Sequence, residues 1–359
     1  MSEEQKRAFG FEGTWRDYAP IAFTNLLLTI VTLGIYRFWA TTRTRQYLWS
    51  RTRFIDEPLE WTGTGMELFI GFLLVLAIFG LPFLFLQFGV QALIFQGYAG
   101  AAFILAFLAF GLIYYLAGVA LFRMLRYRLS RTWWHGIRGG SDDQGWGYGW
   151  SYVWRNIVGS LALGLLIPWA MMSLWNDRWN KMSFGPFEFT AVGSESQIFR
   201  RFLLFYLVPL LLVLGSLFLF FTAMPTMSDP AANPAEPPAA LGIFFAFLVA
   251  AVYIVLPLIA LAFYAKYLRV AIGGLSLSTL DFRFDARTKD WFKLILGDIG
   301  LVIVTLGIGL IFLSYRHWKF FVTHLDAQGE ISLSQLTQST TRAPGQGEGL
   351  ADAFDIGAI

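Results

Sequence analysis

Four stretches of the chain, residues 68–89, 101–121, 202–223 and 241–265, are apolar and free of Lys, Arg, Asp and Glu. Each reaches the ~20 residues that a helix needs to cross the hydrocarbon core of a bilayer. They pair into two hairpins joined by residues 90–100 and 224–240. The second connection holds Pro225, Pro230, Pro234, Pro237 and Pro238 and reads as a non-helical loop. Three further apolar stretches, residues 21–40, 157–172 and 294–314, are interrupted by polar and charged positions.

These three interrupted stretches are related to one another. Ile30-Val31-Thr32-Leu33-Gly34-Ile35 recurs unchanged as Ile303-Val304-Thr305-Leu306-Gly307-Ile308, and the match extends without a gap from Phe9/Phe282 through Asp17/Asp290 to Arg43/Arg316, with Asn25 falling on Asp298. A more diverged copy lies between them. Leu33, Gly34, Trp39 and Trp49 match Leu163, Gly164, Trp169 and Trp179, while Asn156 sits one residue off Asn25. The chain therefore reads as repeat unit one (1–65), transmembrane hairpin one (66–122), unit two (123–200), hairpin two (201–266), unit three (267–339) and a tail (340–359). The tail's composition points to disorder and a contact with a partner protein.

Composition places this pattern in a membrane: 56% of residues are hydrophobic, 14% charged, and mean hydropathy is +0.56. With no cysteine, disulfides and thiolate chemistry are excluded. The net charge is only +3, and the basic residues cluster in loops beside apolar stretches, so they report orientation and no nucleic-acid partner is expected. Lys and Arg flank every repeat unit on both sides and are missing from both hairpin connections. Cytoplasmic loops carry such an excess. Both termini are therefore expected in the cytoplasm, and residues 1–20 lack the pattern of a cleaved signal.

Seven spans would put one hairpin tip, which has no basic residue, in the cytoplasm; four would not. One reading has each repeat stretch turn back near Thr32-Leu33-Gly34, Leu163-Gly164 and Thr305-Leu306-Gly307, re-entrant or lying in the interface. The other has all three stretches span, with the glycines serving close helix packing. Alternation in Phe9/Phe11, Phe187/Phe189 and Leu280/Phe282/Phe284 predicts short strands at the cytoplasmic face. The expected class is thus an all-α polytopic membrane protein with an internal threefold repeat, short β elements, four clean spans and three re-entrant or spanning repeat helices. Tyr36, Trp39, Tyr47, Trp49, Trp133, Trp134, Trp169, Trp175, Trp179, Tyr315 and Trp318 read as an interfacial aromatic belt.

Asn25-Leu26-Leu27-Leu28, Thr32-Leu33-Gly34-Ile35-Tyr36, Phe38-Trp39-Ala40, Arg43-Thr44-Arg45-Gln46-Tyr47 and Leu59-Glu60-Trp61-Thr62-Gly63 resemble the YjgN family of bacterial inner-membrane proteins. The resemblance implies a multi-pass protein of the bacterial inner membrane with undefined activity, and it brings no catalytic residues. The middle unit departs from the pattern at Pro168 and Asp177.

Nothing in the chain forms a catalytic or metal-binding motif. His135, His317 and His324 are the only histidines and show no His-Glu-x-x-His spacing. The glycine-rich run from Gly139 to Gly149 lacks the Lys-Ser/Thr of a phosphate loop and reads as a flexible loop. Neither an enzyme nor a cofactor is expected. The polar groups best placed for function are Asn25, Asn156 and Asp298, with Arg43 and Arg316 nearby. Meeting at a pseudo-threefold centre, they would line a path for a small solute. Permeation or transport is the leading expectation. The alternative is a non-catalytic scaffold, or a lipid-interacting partner of another membrane protein, in which Arg43–Arg53 and Arg123–Arg131 attract anionic headgroups.

The two span counts separate by accessibility. With single cysteines at Ser2, Ser50, Gln96, Ser141, Ser194, Ser228, Ser276 and Ser339, labelling by an impermeant thiol reagent from the periplasmic side only at Gln96 and Ser228 is the four-span outcome. Seven spans would label Ser2, Gln96, Ser194 and Ser276, or the complementary four.

Overall fold

A computed structural model of the chain describes residues 7–227, 239–331 and 336–342. Among these residues the chain is mostly helical, and four helices are long and apolar enough to cross a membrane: Gly65–Phe95, Ala99–Arg131, Ser196–Phe218 and Phe245–Gly273. They fall on the four charge-free stretches. Gly65–Phe95 starts at a capping box in which Thr64 and Glu67 bond each other's backbone N–H. Glu67 also accepts from Arg131 at 2.6 Å and from the Tyr127 hydroxyl at 3.0 Å, which fastens the near ends of the first long pair together. π-turns interrupt two of these helices, at Leu76–Gly80 and Ala251–Val255, two residues ahead of Pro82 and Pro257, whose nitrogens cannot donate.

Each interrupted stretch folds back on itself. Helices Trp15–Val31 and Arg37–Ser50 form hairpin A, Trp146–Ser160 and Ile167–Trp179 hairpin B, and Thr288–Val304 and Leu313–His324 hairpin C. The reversals sit at the Leu-Gly pairs where one of the two sequence readings put them. In hairpin A, Leu33 (φ 50°) and Gly34 (φ 92°) are left-handed, and Gly34 N–H reaches back to Thr29 O at 2.7 Å, the Schellman closure of a helix end. Thr32 Oγ1 donates to Leu28 O and accepts from Tyr36 N–H at 2.9 Å, so one side chain links the two helices. Hairpin C repeats this with Leu306 (φ 50°), Gly307 (φ 93°), Gly307 N–H to Val302 O at 2.8 Å, and Thr305 Oγ1 accepting from Gly309 N–H. Hairpin B has no threonine there and turns through Ala162, Leu163 and Gly164, all at positive φ.

Between consecutive helical hairpins lies a two-stranded one. The strands are β1 (Phe9–Phe11), β2 (Thr52–Phe54), β3 (Glu57–Pro58), β4 (Glu60–Trp61), β5 (Thr132–Trp134), β6 (Ile137–Gly140), β7 (Ser183–Phe184), β8 (Phe187–Ala191), β9 (Leu275–Leu277), β10 (Leu280–Phe284) and β11 (Leu325–Gln328). The first three form a small sheet. β4 to β11 pair in sequence order, all antiparallel, as an eight-stranded half-barrel, with Phe189 opposite Leu277 and Phe284 opposite Leu325. Two-residue turns suit the twist of such pairs when φ is positive, as at His135-Gly136 (φ 50° and 69°). Phe54, Trp134, Ile137, Phe184, Phe189, Leu277 and Leu280 from the strands meet Phe122, Tyr148 and Leu174 from the helices in one buried core.

The class expected from sequence needs correction on several counts. The chain is not all-α, because strands of two to five residues, too short to stand out singly, add up to a continuous sheet. The structure does not show a threefold repeat. Hairpins A and C pack together through Tyr18 and Tyr315, stacked at 5.5 Å, whereas Gly149 at the start of hairpin B presses on Ala99–Arg131, where a Cβ would come within 2.6 Å of Val119. The boundary at 122/123 falls inside a continuous helix. The glycine-rich run is not a loop: Gly139 and Gly140 lie in β6, while Gly147 and Gly149 open hairpin B. The aromatic belt is redistributed, since Trp134, Tyr47 and Tyr315 are buried while Trp15, Trp146, Trp150 and Trp154 are exposed. Most of the tail and of the second hairpin connection lies outside the described residues.

Trp134 is the sheet's anchor, 1% exposed, its indole donating to Phe54 O at 3.0 Å and its ring 4.8 Å from Phe54. Trp134→Ala is expected to cost about 3–5 kcal/mol, read as a lowered unfolding midpoint in detergent.

Candidate functional site

The five polar residues singled out in sequence occupy the folded-back hairpins, and the structure ties each one locally. Asp298, buried on helix Thr288–Val304, accepts from Arg316 Nε at 2.6 Å and faces His317 Nε2 at 2.7 Å across hairpin C. Asp298 and Arg316 are thus brought together. At the matching place in hairpin A, Asn25 Nδ2 donates to Ala40 O at 3.2 Å and to Thr44 Oγ1 at 3.4 Å, while its Oδ1 is buried without a partner among the described residues. Arg43 does not meet Asn25. It is exposed and donates to the Tyr36 hydroxyl at 3.0 Å.

In hairpin B, Asn156 makes no tie across the hairpin among the described residues. Its Nδ2 donates to Tyr152 O, one turn back on its own helix, at 2.7 Å. The cross-hairpin tie is made instead by Arg155, whose Nη1 donates to Ser173 O at 3.0 Å and to Asp177 Oδ2 at 3.2 Å. Asp177 in turn pairs with Lys181, and Lys181 with Asp143, each at 3.3 Å. Arg155 is the residue that a gapless alignment of the middle copy places on Asn25, so the signal was present. Sliding by one residue to match the amide hid it.

Each hairpin therefore carries one polar crossbrace about two turns from its reversal: an amide in A, a guanidinium in B, a carboxylate in C. A polar group in an apolar hairpin is costly unless bonded, and here the bonds close within the hairpin. No hydrogen bond or ion pair among the described residues connects Asn25, Asn156 or Asp298 to another of the three.

Below these crossbraces the core is aromatic and basic. The Tyr18 and Tyr47 rings pack tilted across hairpin A at 5.4 Å, and the Tyr315 hydroxyl donates to Gly13 O at 3.0 Å. Burial pushes the hydroxyls of Tyr18, Tyr47 and Tyr315 above their ordinary pKa, which keeps them as neutral donors. On the outer side of β6, Arg138 Nη2 donates to Thr341 O at 2.5 Å, and Arg126 is buried beside it, its Nη2 reaching Arg342 O. Burial, then the charges of Arg131 and Arg126, hold Arg138 below the usual guanidinium pKa. No group of three or more His, Cys, Asp or Glu able to hold a metal occurs among the described residues.

The family described as "Bacterial protein of unknown function (DUF898)" matches residues 6–353. The chain belongs to that family. It is similar to "Inner membrane protein YjgN" of Salmonella typhimurium, 31% identical over 141 residues, which are 38% of this chain and 33% of that protein. It is also similar to "Inner membrane protein YjgN" of Escherichia coli K12, 26% identical over 157 residues, 44% of this chain and 36% of that protein. The aligned stretches span about a third of the length of these curated relatives. No solved structure matches the chain. The likeness places this chain with bacterial inner-membrane proteins of unknown function, as the residues of the first repeat unit implied.

The crossbrace makes a quantitative expectation. Asp298→Asn keeps an acceptor where hairpin A already uses an amide and is expected to cost about 1 kcal/mol, whereas Asp298→Leu strands Arg316 and His317 and is expected to cost about 2 kcal/mol, moderated because both are partly exposed. Unfolding midpoints of the two variants in detergent check the order.

Proposed function

We propose that this protein is a multi-pass platform of the inner membrane: four spans anchor it, three apolar hairpins dip into the cytoplasmic leaflet, and the half-barrel with both termini faces the cytoplasm as a non-catalytic scaffold for lipid or protein partners. One observation carries the reading. The residue at each reversal is a leucine held at positive φ and almost wholly exposed: Leu33 at 94%, Leu163 at 89% and Leu306 at 93%. A left-handed leucine costs roughly 1–2 kcal/mol relative to a residue in its preferred region. Water penalises its exposure further, whereas acyl chains reward it. The neighbours agree: Ile30, Val31 and Ile35, Ile157 and Leu161, Ile303, Val304 and Ile308 are exposed around the same three turns.

The helices of these hairpins stop short of the ~30 Å hydrocarbon core. Helix Trp15–Val31 has 17 residues, about 25 Å at 1.5 Å per residue, and its partner returns the chain to the side it left. Permeation would instead need polar groups facing a shared path. Asn25 Nδ2, Asn156 Nδ2 and the Asp298 carboxylate bond within their own hairpins, which favours the platform.

Leu33→Gly, Leu163→Gly and Leu306→Gly test this cleanly, because glycine prefers the backbone conformation these positions already have. Each variant is expected to fold as well as the parent. In a cysteine-labelled series, a fluorophore at 33, 163 or 306 is expected to be quenched by acyl-chain nitroxides, and tip-to-glycine replacement at the other two hairpins to reduce that quenching. Efficient reaction of the three cysteines with a water-soluble thiol reagent in intact membranes would overturn the proposal.

A further inference from the structure

Where the last long helix leaves the apolar zone, the sequence changes abruptly from Ala262-Phe263-Tyr264-Ala265 to Lys266, with Arg269 one turn later. These two cations line a cavity of about 320 Å³ whose opposite wall is the end of β8 and the start of Ser196–Phe218, with Ser194 and Gln197 contributing polar groups. Its floor is backbone. Val192 N–H donates to Gly274 O at 2.8 Å, and a Cβ on Gly274 would come within 2.7 Å of the Gly193 nitrogen, so the two glycines let the segments close under the cavity.

The charges around this cavity are unbalanced. Among the described residues, Arg269 and Arg201 both act on Lys266, Arg201 and Arg287 both act on Arg269, and Asp290 is the acid that acts on Arg269. Asp290 is engaged in capping, its Oδ2 accepting from Arg287 N–H at 2.9 Å. Arg201 spends one nitrogen on Ala262 O at 2.7 Å and Thr288 Oγ1 at 3.3 Å, and Arg269 spends its Nε on Ala265 O at 3.1 Å. Lys266 makes no hydrogen bond or ion pair among the described residues. Arg131 and Arg155, of comparable burial, are instead paired with the carboxylates of Glu67 and Asp177. Like charges converging on a cavity at the end of an apolar helix repel one another until an anion enters. A tetrahedral oxyanion matches what is offered: a guanidinium fork, an ammonium, a hydroxyl and an amide. The volume suits a small headgroup.

We propose that this cavity binds a phosphate group, carried by an anionic lipid headgroup or as free phosphate. The lipid source rests on the platform reading, which sets the helix end at headgroup level; the phosphate chemistry stands without it. Lys266→Gln removes one charge and no native contact, so the fold is kept even if Lys266→Gln/Arg269→Gln does not assemble.

The full chain in a neutral detergent is titrated with inorganic phosphate and, separately, with phosphatidylglycerol against phosphatidylcholine, following the unfolding midpoint. Saturable stabilisation is expected, with the apparent affinity about fivefold weaker in Lys266→Gln and about 25-fold weaker in the double variant, and unchanged in Arg283→Gln, an exposed cation away from the cavity. Stabilisation by phosphatidylglycerol but not by inorganic phosphate assigns the lipid source; stabilisation by inorganic phosphate, with phosphatidylglycerol no better than phosphatidylcholine, assigns the free ion. No saturable stabilisation by either, or an unchanged affinity in Lys266→Gln, overturns the site. Tip quenching in the same Lys266→Gln protein reports the platform separately, so either reading can fail while the other stands.

Discussion

Three backbone reversals govern everything else in this molecule. An apolar stretch of about 20 residues becomes a span unless something ends the helix in its middle, and a helix ended inside an apolar zone must dispose of its carbonyls without water. Hairpins A and C do so with the same few atoms: a six-residue Schellman closure at the glycine, and a threonine whose hydroxyl donates back one turn and accepts from the next helix. That is why Ile-Val-Thr-Leu-Gly-Ile survives unchanged at both places. Threonine joins the helices, leucine fills the exposed apex, and glycine takes φ above 90°. Hairpin B reaches the same end with three left-handed residues in a row and no threonine, and it is the copy that diverges most in sequence.

Once the stretches turn back, their outer ends lie on one side, and so do the Gly65, Arg131, Ser196 and Gly273 ends of the long helices. This makes the sheet possible. A two-stranded hairpin after each helical one pairs with the next, and the half-barrel grows in chain order without a crossover. The sheet in turn fixes the bases of the hairpins, since Trp134, Phe184 and Phe189 pack against Phe122, Tyr148 and Leu174 of the helices. Positive charge collects on the same side. Some of it is neutralised in place, as at Glu67–Arg131 and Asp177–Arg155, and some converges unpaired at Lys266 and Arg269.

Much of this was legible in the sequence where a single local signal decides the outcome. Charge-free runs of spanning length gave the four long helices, repeated Leu-Gly pairs gave the three reversals, and alternating Phe9/Phe11, Phe187/Phe189 and Leu280/Phe282/Phe284 gave three strands. What could not be read depends on non-local pairing. β5, β6, β9 and β11 are three or four residues long, and Thr-Trp-Trp or Ile-Arg-Gly-Gly carries too little periodicity to announce a strand until its neighbours exist. The tryptophans were assigned to an interface because a sequence does not distinguish an indole facing headgroups from one such as Trp134, folded under a sheet. The polar centre was half legible: Asp298 and Arg316 meet, but Asn156 was preferred over Arg155 on chemical likeness, and the structure uses position.

That exchange of Asn, Arg and Asp at one crossbrace bears on what the hairpins do. A path for a solute would constrain the chemistry of its lining, because an amide, a cation and an anion select different passengers. A crossbrace constrains only that a donor meet an acceptor, and then any complementary pair will serve: Asn25 with Ala40 and Thr44, Arg155 with Ser173 and Asp177, Asp298 with Arg316 and His317. The three solutions differ in charge and agree in geometry, each bridging the two helices of its own hairpin. In the platform we propose, they hold an apolar tip at a set depth, and the groups offered to partners lie at the basic ends of the helices.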